Sequence, residues 1–193
     1  MEFSPVVLEG RFVRLEPLTR AHFEALWEIA QDEVLWRWTQ AQPKNPAALE
    51  SYLTTALDWQ RQGTALPFAT CSRAEGKPVG STRFANIDRE NRRAEIGWTW
   101  IGRPWQRSAI NTEAKLLMLT HAFENEGCIR VELKTDVLNQ QSRSAIRRLG
   151  ASEEGILRHH SITDSGRIRD TVYYSILAGE WPAVKQNLES RLR

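Results

Sequence analysis

Residues 92 to 123 constrain the fold more than any other stretch. An apolar run, Ala94-Glu95-Ile96-Gly97-Trp98-Thr99-Trp100-Ile101, gives way to Gly102-Arg103-Pro104, then to Trp105-Gln106-Arg107-Ser108-Ala109-Ile110-Asn111-Thr112, and finally to a helical pattern. The run is short, rich in aromatic and β-branched residues and bounded by Gly and Pro, which predicts a strand rather than a helix. Asn111 or Thr112 can cap the following helix, whose stripe of Leu116, Leu117, Leu119 and Phe123 runs up to Gly127. The order is therefore strand, turn, polar loop, helix. The first turn of a helix has backbone N–H groups without internal partners and the positive end of the macrodipole, so an anion such as phosphate fits on residues 107 to 113. A connecting loop that binds nothing fits the same residues.

The flanking sequence predicts the rest of the architecture. Leu8 to Leu18 reads as an opening strand, and Thr19 caps a helix running to Ala30. Asp32 to Asn45 is a loop carrying Trp36 and Trp38, large apolar side chains that fit either a ligand contact or packing against the helices. Asn45 and Pro46 open a second helix that stops near Gly63. Pro67 to Arg73, Pro78 to Phe84 and Arg93 to Ile101 are three strands with no helix between them, hence an antiparallel meander. After the helix from Thr112 to Glu126, Ile129 to Asp136 alternates apolar and polar, a strand with one buried and one wetter face. Asn139 caps a helix over Gln140 to Leu149 that Gly150 stops. Strands around Gly155 to Ser161 and Asp170 to Leu177 flank the turn Asp164-Ser165-Gly166, and Pro182 starts a closing helix. No repeat or linker divides the chain, so residues 1–193 read as one domain of mixed α/β class.

Composition excludes several function classes. With 26% charged and 41% hydrophobic residues and a net charge of +2, the chain is globular and lacks the dense basic stripe of a dedicated nucleic-acid binder. No apolar run reaches membrane-spanning length and the start resembles no secretory signal, which leaves the cytoplasm as the default location. Two cysteines, Cys71 and Cys128, form no ligand spacing, and the adjacent His159 and His160 diverge on a strand, so no metal is expected. No P-loop, nucleophile elbow or dinucleotide fingerprint is present. Of the eight tryptophans, Trp27, Trp59, Trp98, Trp100 and Trp181 fall in periodic segments and read as packing residues, whereas Trp36, Trp38 and Trp105 fall in loops.

The element order and four short motifs together resemble the GNAT acetyltransferases, in particular the branch of the RimJ- and RimL-type ribosomal-protein N-terminal acetyltransferases. The motifs are the loop from Gln106 to Asn111, Asn139-Gln140-Gln141-Ser142, the helix end Leu149-Gly150-Ala151, and Arg167 to Ser175. The resemblance covers about Leu8 to Trp181. It implies a GNAT fold, a strongly twisted, mostly antiparallel sheet of about seven strands flanked by helices, with strands four and five splayed around acetyl-CoA or another short acyl-CoA. It implies a pyrophosphate loop of the pattern Q/R-x-x-G-x-G/A, matched at Gln106 and departed from at Ala109 and Asn111. Arg103 and Arg107 are candidate phosphate partners, since guanidinium groups suit phosphate oxygens.

The same resemblance distributes roles over the chain. Trp98, Thr99, Trp100 and Ile101 would offer backbone amides to the cofactor, and Gln106, Arg107, Ser108, Ala109, Ile110, Asn111 and Thr112 would hold its pyrophosphate. Asn139 and Ser142 would tie the cofactor arm and reach its sulfur. Glu95 is the carboxylate placed to take the amine's proton, and Ser142 or Tyr173 the proton source for the departing thiolate. Tyr173 and Tyr174 point to opposite faces, so only one can serve. Trp36 and Trp38 are candidate substrate contacts. The expected activity is N-acyl transfer by direct attack of an amine, either a protein N-terminus or a small molecule. The rival is a non-catalytic acyl-CoA-binding regulatory module, RNA binding ranks last, and a homodimer is open.

Overall fold

The computed structural model describes residues 1–193. One sheet of eight strands runs in the order β1-β2-β3-β4-β5-β6-β8-β7. Its strands are β1 (Leu8–Glu9), β2 (Val13–Pro17), β3 (Leu66–Ser72), β4 (Lys77–Asp88), β5 (Arg93–Ile101), β6 (Arg130–Asp136), β7 (Ser152–Ile162) and β8 (Ile168–Leu177). Five helices, α1 (Phe23–Ala30), α2 (Pro46–Arg61), α3 (Ala109–Thr120), α4 (Gln140–Leu149) and α5 (Trp181–Ser190), cover it. The meander β3-β4-β5 is antiparallel, and β5 with β6 makes the one parallel pair.

Two apolar layers sandwich the sheet. Ala94, Ile96, Val131, Leu133 and Val172 point to one face and pack with Met118 and Leu119 of α3 and Val184 and Leu188 of α5. On the other face Leu26 and Ala30 of α1 meet Leu49, Leu53 and Ala56 of α2 over Ala69 and Trp100. Alternation along the first part of β5 therefore sends Ala94 and Ile96 to the α3 side and Glu95 to the α2 side.

Local chemistry caps several elements where the sequence implied, while β4 runs to Asp88 beyond the expected Phe84 and the expected helix end is a π-turn over His121–Asn125. Asn45 accepts a hydrogen bond from the Ala48 amide to cap α2, Asn139 accepts one from Ser142 to cap α4, and Gly150 stops α4 at φ +105°. The expected opening strand is instead a hairpin of two strands, which raises the expected seven to eight. Its turn is held by Glu113 of α3, whose carboxylate accepts from the amides of Arg11, Phe12 and Val13 at 2.8, 2.6 and 2.8 Å. Such a long-range anchor leaves no local signature. The cap of α3 is Ser108, not Asn111 or Thr112, so this helix begins at Ala109.

Candidate active site

The cleft opens where β5 and β6 part. They pair through Arg93–Arg130, Ala94–Val131 and Glu95–Glu132 and no further, because β5 continues along β4 to Ile101 while β6 continues along β8 to Asp136. A bulge bends β5 away: Trp98 is left-handed at φ +49°, and the register with β4 shifts between Gly97 and Trp100. Gly80 permits this close approach, since a Cβ there would stand 2.1 Å from the Trp100 carbonyl oxygen. Beyond Glu95 one edge of β5 therefore carries backbone groups without a partner strand.

The turn after β5 and the start of α3 close one end of the cleft. Gln106 is a strut rather than a free donor: its Nε2 donates to the Ile101 carbonyl at 2.8 Å, and its Oε1 accepts from Gln141 of α4 at 3.3 Å. The left-handed residue of the loop is Arg107, at φ +59°, while Ala109 and Asn111 lie inside the first turn of α3 with ordinary negative φ. The departures from the glycine pattern thus fall at positions that need no glycine. Arg107 is exposed and makes no ion pair, whereas Arg103 is bound to Asp32. The buried Asn111 Oδ1 has no protein partner. Across the cleft, Ser142 is partly buried in the first turn of α4 and its hydroxyl makes no protein hydrogen bond. First-turn amides plus Arg107 form a donor set that fits a pyrophosphate.

On the α2 side of the sheet, polar groups from four strands converge beside the same opening. Glu95 is 2% exposed, and its Oε2 lies 2.9 Å from Lys134 Nζ and 2.7 Å from Asn86 Nδ2. Lys134 also stands 5.6 Å from the Tyr173 ring and 5.7 Å from the Trp98 ring. Tyr174 is fully buried on the opposite face, donating to Glu153 at 3.1 Å, so Tyr173 is the tyrosine on the Glu95 side. At the end of β6, the buried Asp136 is bound by Arg167, whose guanidinium lies 5.4 Å from the Trp38 ring. Nearby, burial holds Arg169 below the ordinary arginine range, with Asp136 opposing the shift. The loop bearing Trp38 is stapled to the β7–β8 turn, for Asp164 N donates to Gln40 O at 3.1 Å and Gln42 N to Asp164 Oδ2 at 2.9 Å.

Comparison with known proteins decides the family. The acetyltransferase (GNAT) domain matches residues 13–152. The chain belongs to the GNAT acetyltransferases. It is 35% identical over 144 residues to YdaF of Bacillus subtilis strain 168, provisionally named a ribosomal N-acetyltransferase, covering 74% of this chain and 78% of YdaF. A GCN5-related N-acetyltransferase from Brucella melitensis superposes with a TM-score of 0.90 at 34% identity, over 98% of this chain and 86% of its own. Mycobacterium smegmatis RimJ, solved with CoA-disulfide, gives a TM-score of 0.82 at 26% identity over 98% and 93%. This kinship places the chain in the RimJ/RimL-like branch, and the activity is acetyl transfer to an amine.

Within this acetyltransferase the expected site residues separate into groups. Glu95, Trp98 and Tyr173 lie together, and Ser108 to Thr112 form the loop end and first turn of α3. The Thr99 hydroxyl turns to the α3 face, within 2.7 Å of Thr82 Oγ1 and 2.9 Å of Lys115 Nζ. Trp100 is a core residue. Trp36 also belongs to the core: 4% exposed, it packs on Trp100 and its indole donates to the Ala30 carbonyl at 2.7 Å. That geometry leaves Trp38 alone as the loop tryptophan beside the polar groups. Sequence reasoning missed Asn86, Lys134, Asp136 and Arg83. The alternation of β6 already separated Lys134 and Asp136 from the buried face, so its wetter side was the available signal.

Proposed function

We propose that this protein acts as one unit that transfers acetyl from acetyl-CoA to a primary amine, with Glu95 taking the proton the attacking amine must lose. The observation that carries the reading is the position of Glu95: a buried carboxylate on the cofactor strand, at the last residue before β5 and β6 separate. Acetyl-CoA, when bound, supplies the acyl group as an activated thioester. The amides of Trp98 to Ile101 would line its arm, with the first turn of α3, Ser108 and Arg107 at its pyrophosphate and Asn139 beside the arm. Lys134 and Asn86 fix Glu95 through Oε2 and leave Oε1 without a protein donor, free to accept from an amine or from an intervening water. Ser142 is the proposed proton donor to the leaving sulfur, and Tyr173, next to Lys134, is the second candidate.

The acceptor proposed is a protein N-terminus, in keeping with the names of YdaF and RimJ, and the site of action is the cytoplasm. No helix is long and apolar enough to cross a membrane. The deciding experiment is Glu95→Gln. Turnover at saturating acceptor should fall by about 100-fold or more, the usual scale of a general base, while calorimetry gives unchanged affinity for CoA. Wild-type turnover in that variant would place the base elsewhere, and absence of CoA binding in the wild-type protein would remove the reading altogether.

A further inference from the structure

Arg83 of β4 is 1% exposed and carries no hydrogen bond or ion pair to protein; its Nε and Nη2 are buried without a protein partner. Around it stand the rings of Tyr52, Trp98 and Trp59, at 4.8, 5.2 and 5.5 Å from the guanidinium carbon. Aromatic faces attract a cation but do not accept its N–H groups as a carboxylate does, so a buried guanidinium held only by rings is left with unmet hydrogen-bonding demand. An aliphatic side chain would fill the same space without that cost. Stability therefore does not account for an arginine here.

The orphaned atoms are informative. Nε and Nη2 lie on one edge of the planar guanidinium, the two-pronged edge that matches both oxygens of a carboxylate. Arg83 pairs with Gly97, and Ala85 with Glu95, so Arg83 and Glu95 project from the same face of the sheet, two residues apart along β5. Gly97 lets the Glu95 carboxylate lie over the strand position opposite Arg83, for a Cβ there would stand 2.9 Å from Glu95 Oε1. Two residues of strand span about 7 Å, the scale of a molecule with an amine and a carboxylate a few bonds apart. Lys134, on the same Trp98 ring as Arg83, adds a second positive charge beside the gap.

We propose that Arg83 receives a carboxylate of the acceptor, so that the preferred substrates are amines bearing a carboxylate within a few bonds of the nitrogen. This rests on the reading of the Glu95 side of the cleft as the acceptor site. The carboxylate belongs either to an acidic first residue of a peptide or to a free amino acid. Trp98 and Trp59 hold the guanidinium in place but offer its fork no oxygen acceptor, which the ligand carboxylate supplies.

The test is a panel of matched acceptors on the full chain: peptides beginning with Asp or Glu against Asn or Gln, and free aspartate and glutamate against their α-amides. In the wild-type enzyme kcat/KM should favour each carboxylate over its amide by tenfold or more, and which arm shows the preference names the source. Arg83→Lys keeps the charge without the fork, and should reduce the preference to threefold or less while circular dichroism reports a folded protein. Equal kcat/KM for acids and amides overturns the proposal and leaves acetyl transfer standing. An unchanged preference in a folded Arg83→Lys variant overturns it as well. If that variant does not fold, or no amine is turned over, calorimetry with N-acetylaspartate and N-acetylasparagine on the wild-type protein decides. Tenfold tighter binding of the acid supports Arg83 as the receptor, and equal or undetectable binding of the two overturns it.

Discussion

Lys134 Nζ stands 2.9 Å from Glu95 Oε2 across the gap where β5 and β6 separate, so the cation of one cleft strand holds the carboxylate of the other. Both side chains are largely buried, with 23% and 2% of their surfaces exposed. Removing Lys134 from such a pair leaves a buried carboxylate without compensation and takes away one of the two contacts that orient it. Lys134→Met should therefore lower turnover at saturating acceptor by about 10-fold or more while calorimetry gives unchanged affinity for CoA. Wild-type turnover in a folded Lys134→Met variant would mean that Lys134 acts on something other than Glu95.

Glu113 ties the N-terminal hairpin to α3 through three amides, and Gly10 beside it has no room for a side chain, since a Cβ would lie 2.4 Å from the carboxylate carbon. Glu113→Gln replaces an oxygen acceptor by an NH₂ that faces N–H donors. Hydrogen bonds to charged groups contribute about 1.5–3 kcal/mol each and do not add fully, so a loss of about 2–4 kcal/mol is expected. Urea unfolding monitored by tryptophan fluorescence measures it.

The two loop tryptophans should respond differently to truncation. Trp36 is packed on Trp100 and hydrogen-bonded to Ala30, so Trp36→Ala should cost about 3–5 kcal/mol of stability. Trp38 is half-buried over Arg37 and Arg167, and Trp38→Ala should leave the unfolding midpoint nearly unchanged while raising KM for the acceptor. Equal destabilisation by both would assign Trp38 to the fold alone.

Arg107 carries the positive φ of the loop before α3, and Ala109 does not. Arg107→Gly should relieve about 1 kcal/mol of backbone strain while removing an exposed cation from the proposed pyrophosphate site. Stability should rise slightly and affinity for CoA should fall. Ala109→Gly should do neither, because it places glycine in a helical first turn at a cost of about 0.5–1 kcal/mol. Restoration of tighter CoA binding by Ala109→Gly would show that the loop is misread.

These residues also show what was legible in the chain. Helix caps at Asn45, Asn139 and Gly150 act within four residues, and the strand alternation of Ile129 to Asp136 is local, so both could be read directly. Glu113, by contrast, acts on amides about a hundred positions away, and Arg83 acquires its rings from α2 and β5. Neither leaves a periodic trace. The cap at Ser108 was missed because Asn111 and Thr112, only three and four residues further on, are equally good capping types, and the extended backbone of Ser108 settles which residue is used.

Lys115 provides the pH test of the interior. It lies wholly within the fold under the cleft strand, donating to Thr99 and Thr82 hydroxyls at 2.9 and 3.3 Å, and no carboxylate pairs with it. Burial pushes its ammonium down from 10.5 to about 7. Between those values the unfolded chain binds a proton that the folded chain does not, so this group makes stability rise with pH across that window and lowers it most fully below pH 7. Lys115→Met removes the group while Thr82 and Thr99 keep each other as partners at 2.7 Å. The variant should be the more stable protein at pH 6, by on the order of a few kcal/mol, and the gap should narrow toward pH 8.5. Above that range Cys71 and Cys128, both raised to about 11 by burial, add a dependence of the opposite sign, so the comparison belongs below it. Calorimetric unfolding of both proteins at several pH values measures the gap, and a gap independent of pH would mean that Lys115 keeps its proton in the folded state.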